Sequence, residues 1–155
     1  MAKILITGSN GQLGSELQDI AKRNKQHEYI FVDVDDLDIT EANAVDTFFS
    51  LYNFDICINC AAYTAVDKAE ADHLLAFKIN VTGVEHLAKA CQKNNAVFIH
   101  ISTDFVFDGE ATEPYNVDHP VNPISVYGQT KAEGEYRALS LNTKTILIRT
   151  SWVYR

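Results

Sequence analysis

Apolar and polar positions along the chain follow two alternating periods. An apolar run, Ile4-Leu5-Ile6, opens it and stops at Thr7. Apolar residues then return at Leu13, Leu17, Ile20 and Ala21, the spacing of one helical face. The alternation continues. Short apolar runs at 29–33, 55–59, 96–101 and 145–150 read as buried strands. Between them lie helical stripes. Ala44, Val45, Phe48 and Phe49 mark a helix over 41–52 that Thr40 would cap. Phe77, Val81, Val84, Leu87, Ala88 and Cys91 mark the inward face of a long helix over 74–93. Asn80 lies beside that stripe and reads equally as bonded to a neighbouring loop or as exposed. A last helix covers 125–141. The stretch 105–123 carries Gly109, Pro114, Pro120 and Pro123 in polar sequence and reads as a long loop. Strands alternating with helices need crossover connections. The expected architecture is α/β: a doubly wound parallel sheet with helices on both faces.

In such a sheet, ligands collect beyond the carboxyl ends of the strands. The polar residues at those ends are therefore the candidates. After the first strand come Gly8, Gly11 and Gly14, three apart. A tight turn there leaves free backbone N–H groups at the positive end of a helix, which suits a pyrophosphate. Glycine is needed where a side chain would block the phosphate or hold the helix off the strand. The spacing is G-x-x-G-x-x-G, and a plain strand–turn–helix is the competing reading. Asp33 ends the second strand, where a carboxylate can accept bonds from ribose hydroxyls. Asp33, Asp35, Asp36 and Asp38 crowd this loop with no Lys or Arg among them. A 2′-phosphate would be repelled, which favours NADH over NADPH. Small residues, Cys60-Ala61-Ala62, follow the third strand and would let a cofactor lie against the backbone. Ser102-Thr103-Asp104 ends the fourth.

Composition narrows the choice. A chain of 155 residues, 46% hydrophobic and 22% charged, fits one core-forming domain. The formal net charge of −8 disfavours a nucleic-acid or anionic-membrane surface. No apolar run approaches the roughly 20 residues of a membrane span, and the first residues lack the order of a signal peptide. Cys57 and Cys60 form C-x-x-C, but no second ligand pair accompanies them, and Ile56, Ile58 and Ala61 read as a buried strand end. A reduced, cytoplasmic protein with no metal centre of its own is the simpler account.

Tyr127-Gly128-Gln129-Thr130-Lys131 places a phenol and an ammonium four apart, on one face of a helix. Gly134, Ala138 and Leu141 continue that face toward the sheet. A lysine on a face built for burial needs a reason. An ammonium beside a phenol favours phenolate and makes the tyrosine a usable acid or base near neutral pH. Thr103 would then hydrogen-bond the substrate oxygen that exchanges the proton. The competing reading is a surface Tyr–Lys pair.

These residues resemble a known family. Thr7-Gly8, Gly11 and Gly14 with Tyr127 and Lys131 are similar to the extended short-chain dehydrogenase/reductases. Within them, residues 59–70, 102–109 and 149–154 closely resemble the dTDP-4-dehydrorhamnose reductases. The resemblance runs along the whole chain. It implies a Rossmann-type NAD(P)-binding domain over 1–155 and reduction, with NADH or NADPH, of the C4 ketone of a dTDP-linked 4-keto sugar. It implies that Gly11, Gln12 and Leu13 meet the cofactor pyrophosphate and Asp33 the ribose. Asp38 and Ile39 would flank the adenine. Ala62, Tyr63 and Thr64 would line the cofactor's middle, and Ile101, Tyr127 and Lys131 would surround the nicotinamide ribose. Thr103, Asp104 and Trp152 would face the deoxysugar. Magnesium at a contact between two subunits of a homodimer is also implied, with Glu16 the corresponding position. The family continues into a smaller C-terminal substrate-binding region beyond the last motif. The stretch given is thus expected to bind cofactor and, alone, to turn over substrate poorly. Two other classes share much of this pattern: a nucleotide-sugar epimerase or dehydratase, the dehydratase adding an acid beside the Ser/Thr, where Asp104 stands, and a non-catalytic module like the regulatory subunit of methionine adenosyltransferase.

Overall fold

The computed structural model describes residues 1–153. Tyr154, the last residue of the 149–154 motif, lies outside the described residues. Five strands, β1 (Lys3–Thr7), β2 (Glu28–Val32), β3 (Ile56–Asn59), β4 (Val97–Thr103) and β5 (Thr145–Thr150), form one parallel sheet in the order β2-β1-β3-β4-β5. The order reverses direction after β2, so a crevice opens at the carboxyl ends of β1 and β3. The register brings Thr7, Asn59 and His100 side by side across β1, β3 and β4.

The helices are α1 (Gln12–Arg23), α2 (Ala42–Tyr52), two short pieces α3 (Val66–Ala69) and α4 (His73–Phe77), α5 (Val84–Lys93) and α6 (Val126–Leu141). Leu5, Cys57 and Phe98 on one sheet face join Val45 and Phe49 of α2, Val84, Leu87 and Cys91 of α5 and Ala138 of α6 in one buried core. The opposite face carries Ile4 and Ile6, buried at its α1 end. Toward β5 that face opens, and Ile146 and Ile148 are exposed. Among the described residues no helix is long and apolar enough to cross a membrane.

Several local expectations change. The stripe over 74–93 is not one continuous α-helix. A π-helical turn, Lys78–Gly83, joins α4 to α5 and shifts the register by one residue. The shift leaves Phe77 outside the core, 46% exposed. Ala44 and Ile20 are likewise exposed. Thr40 does not cap α2. Glu41 occupies that place without a side-chain bond, and the Thr40 hydroxyl donates to Asp38 instead, at 2.6 Å. The 105–123 loop is tied down by its own side chains. It begins with a single 3₁₀ turn, Asp104–Val106. The Asp108 carboxylate then accepts from Asn122, the Glu110 amide and the Tyr115 hydroxyl, which hold its pKa down at about 2. Phe107 stacks on Tyr115 at 4.2 Å.

Candidate active site

A cleft of about 820 Å³ runs along the carboxyl ends of the strands, from the β1–α1 turn to β5. At its β1 end the walls are backbone. Gly8 has φ +63°, and a Cβ there would lie 2.6 Å from the Ala61 amide nitrogen. Only glycine fits, because the turn must pass directly over the β3 loop. Gly14 is buried against the Gly8 carbonyl and Ser9, so it packs α1 onto the turn and does not face the cleft. Gly11 is exposed and does face it, with Gln12 and Leu13. Helix α1 starts at Gly11 with no side-chain cap and no acid in its first turn. Its first N–H groups are therefore free to bind an anion.

Asp33, Asp38 and Ile39 line the next part of the cleft. The Asp33 carboxylate already accepts from the Asn10 and Val34 amides, each at 2.9 Å, which fixes it beside the glycine turn. Thr40 bonds to the Asp38 carboxyl and lowers its pKa. Ala62 and Thr64 line the cleft, but Tyr63 between them does not. Its ring packs with Ala69, Ala76 and Tyr127, and its hydroxyl donates to Asp72 at 3.1 Å. Tyr63 is held by its backbone. Asn80, 1% exposed in the π turn, accepts from the Tyr63 amide at 2.8 Å and donates to its carbonyl at 3.1 Å. The same amide group donates to Thr130 of α6, also at 3.1 Å. Asn80 is thus the loop-bonding residue of its two readings, and it ties the cofactor side of the cleft to α6.

The β4 end is built from side chains. Ser125 caps α6 by accepting from the Gly128 amide at 3.1 Å, and Tyr127 and Lys131 follow on the buried face. Thr103, Asp104 and Ile101 line the cleft with them, as does the 79% exposed Trp152 at its outer edge. Lys131 donates to the Ile101 carbonyl at 2.8 Å. Burial pulls its pKa down to about 8, against the nearby Glu135 and Cys60. Burial raises the Tyr127 pKa, as does the Asp104 carboxylate, while the Thr103 hydroxyl pulls the other way. The phenol is therefore a protonated acid. Thr103 also donates to the Asp104 carboxylate at 3.1 Å.

Beneath this site lies a buried polar row that the pattern of strands and motifs does not mark. Thr7 donates to Asn59 at 2.6 Å, and the Asn59 amide meets His100 Nδ1 at 3.1 Å. Burial and the Lys131 charge keep His100 neutral. Asn59 and His100 interrupt apolar strands, and that was the available signal. The cysteines diverge: Cys57 enters the core near Cys91, whereas Cys60 lines the cleft. Glu16 is exposed on α1, and among the described residues no group of three or more His, Cys, Asp or Glu side chains is arranged to hold a metal.

Fold and site together define a Rossmann-type α/β domain with the tyrosine–lysine helix of short-chain dehydrogenase/reductases. Comparison with known proteins specifies it further. Residues 2–155 match the family described as the RmlD substrate binding domain, and the chain belongs to that family. It is 42% identical to the dTDP-4-dehydrorhamnose reductase of Aggregatibacter actinomycetemcomitans, over 99% of this chain and 52% of that protein. Among solved structures, it matches a dTDP-4-dehydrorhamnose reductase from Clostridium acetobutylicum with 52% identity and a TM-score of 0.96, covering 98% of this chain and 54% of that one. The corresponding enzyme from Bacillus anthracis, solved in complex with NADP, is 39% identical with a TM-score of 0.96, over 99% of this chain and 54% of that one. The chain spans about half the length of the curated relatives it matches.

Proposed function

We propose that this chain is the NAD(P)H-binding and proton-donating part of a dTDP-4-dehydrorhamnose reductase, which reduces the C4 ketone of dTDP-4-dehydro-L-rhamnose in dTDP-L-rhamnose synthesis. The observation that carries the reading is the convergence of two walls on one cleft: the amide-lined glycine turn and the buried Thr103–Tyr127–Lys131 group. The cofactor's pyrophosphate fits the free amides of α1, and the close Gly8–Ala61 approach leaves its bed clear of side chains. The nicotinamide supplies the hydride. The residues do the rest. Tyr127, protonated in its buried setting, delivers a proton to the oxygen at the reduced carbon. Thr103 donates a second hydrogen bond to that oxygen once it turns from Asp104. Lys131 holds the nicotinamide ribose, and its positive charge favours the phenolate that Tyr127 leaves behind. Trp152 and Asp104 face the deoxysugar. The expected setting is the cytoplasm, with two copies forming a dimer.

The test uses the full-length gene product. It should oxidise NADH or NADPH in the presence of the 4-keto sugar nucleotide and release the 4-hydroxy sugar. Loss of water or inversion at another carbon would identify a dehydratase or epimerase instead. Tight cofactor binding without turnover would identify a binding module.

A further inference from the structure

An ion pair with a buried carboxylate ties the inner face of α6 to β5, one helical turn beyond Lys131. Glu135 follows Lys131 by four residues, so the two side chains share one face, with Cβ atoms roughly 5–6 Å apart. Glu135 is 4% exposed. Its carboxylate receives both arms of Arg149 from β5: Nε donates at 2.9 Å and a terminal nitrogen at 2.7 Å. Arg149 is held from outside as well. It donates to the Val117 carbonyl at 3.4 Å, and its guanidinium lies 5.0 Å over the Phe107 ring. In the sheet Arg149 pairs with Ser102, one residue below Thr103 and Thr150 at the cleft.

Buried charges persist when something pays for their desolvation. The groups around Lys131 leave little choice. His100 of β4 is held neutral by burial. Cys60, after β3, is pushed up to about 12 by burial and stays a thiol. Tyr127 on the same helix is a protonated phenol, and Asp104 in the 3₁₀ turn acts on that phenol. Arg149 of β5 is positive, and its charge is met by Glu135. Glu135 is the carboxylate that acts on Lys131.

We propose that Glu135 is a positioning residue for Lys131. Its carboxylate, locked by Arg149, sustains the buried ammonium and fixes how α6 presents Tyr127 and Lys131 to the cleft. The catalytic consequence rests on the reductase reading; the charge relation does not. The competing account is a clamp between α6 and β5 that is blind to the charge on Lys131.

Lysine ionisation distinguishes the two. In full-length protein carrying ¹³C-labelled lysine, the Lys131 resonance is assigned by its loss in Lys131→Met and titrated without cofactor. Glu135→Gln should lower its midpoint by about one pH unit or more. Arg149→Met breaks the clamp but keeps the carboxylate, so the midpoint should hold or rise. An unmoved midpoint in Glu135→Gln overturns the proposal. So does a lowered one in Arg149→Met, which remains readable if Glu135→Gln does not fold. The alkaline limb of kcat/KM for ketone reduction should move with the midpoint. If the wild type reduces no ketone while the midpoints shift as expected, the reductase reading fails and the role of Glu135 stands.

Discussion

At the β1 end of the cleft, the groups facing the cavity are backbone amides; at the β4 end they are side chains, two of them buried and ionisable. The first end depends on what is missing. Gly11, which faces the cleft, has no Cβ, and α1 has no capping side chain, so an anion can approach the helix. The second end depends on what is forced inside. Tyr127 and Lys131 are 8% and 2% exposed, and burial pulls both away from their charged forms. Binding a phosphate needs only fixed dipoles. Moving a proton needs a group whose charge can change. The two ends should therefore fail in different ways.

The largest effect is expected at the side-chain end. A positioned acid contributes about 10²–10⁴ in rate. On the proposed reductase reading, Tyr127→Phe in the full-length protein should lower kcat by a factor in that range and leave cofactor affinity nearly unchanged, since only a hydroxyl is lost. Steady-state kinetics with calorimetric cofactor titration checks both. Near wild-type kcat, with hydride transfer shown to be rate-limiting, would return the Tyr–Lys pair to a structural role.

The backbone end should separate binding from folding. A Cβ on Gly11 meets only the Gly8 carbonyl, at 3.3 Å, whereas on Gly14 it would overlap that carbonyl and approach Ser9 Cα to 2.6 Å. Gly11→Val should keep the fold and weaken NADH binding by roughly tenfold or more. Gly14→Val should lose about 1–3 kcal/mol of stability first. Calorimetry and thermal melts on the two variants give the contrast. Equal NADH affinity in Gly11→Val and wild type would sink the phosphate-loop reading.

Lys131 gives a smaller effect with a definite sign. Its folded pKa of about 8 lies below the unfolded value of 10.5. Below pH 8 both states carry the proton, and folding bears the full cost of the buried charge. Between the two values the unfolded chain holds a proton that the folded chain lacks, so the stability contributed by this site rises with pH. Lys131→Met removes the cost. The variant should be more stable than wild type near pH 7 by on the order of 1–3 kcal/mol, and the gap should close toward pH 10. Urea denaturation across that range measures it. A gap independent of pH would mean that Lys131 titrates alike in the folded and unfolded chain.

The same contrast governs what could be read in the sequence. The strand–helix alternation and the glycine turn were legible because period and missing side chains are local properties. Tyr127 and Lys131 were legible as a pair, and their burial followed from Gly134 and Ala138 on the same face. What escaped depends on registers that local pattern does not contain. The π turn takes Phe77 out of the core that a straight helix would give it, and it brings Asn80 against the Tyr63 backbone. Tyr63 was placed in the cleft, yet its ring leaves for the α3–α4 side. The Glu135–Arg149 pair joins residues 14 apart in sequence through a helix and a strand, and neither residue alone signals it.

The smallest effect concerns the acids beside the glycine turn. Asp33 lies in the cleft, with its carboxylate fixed by two amides and its charge uncompensated by any ion pair among the described residues. A ribose hydroxyl would donate to such a group, while a 2′-phosphate would be repelled by it and by Asp35, Asp36 and Asp38. The site is open to solvent, so screening keeps the repulsion to about 1 kcal/mol, a factor of roughly five in affinity. NADH should bind more tightly than NADPH by about that factor at low salt, and less so as salt rises. Asp33→Ser should narrow the difference from both sides, because it removes an acceptor for the hydroxyl and a charge opposing the phosphate. Titration of each cofactor into wild type and variant, at two ionic strengths, decides the matter. If NADPH bound the wild type about tenfold more tightly, the phosphate would be reaching a cationic or amide partner away from this loop. The acid cluster would then be a solvated strand end rather than a determinant of cofactor choice.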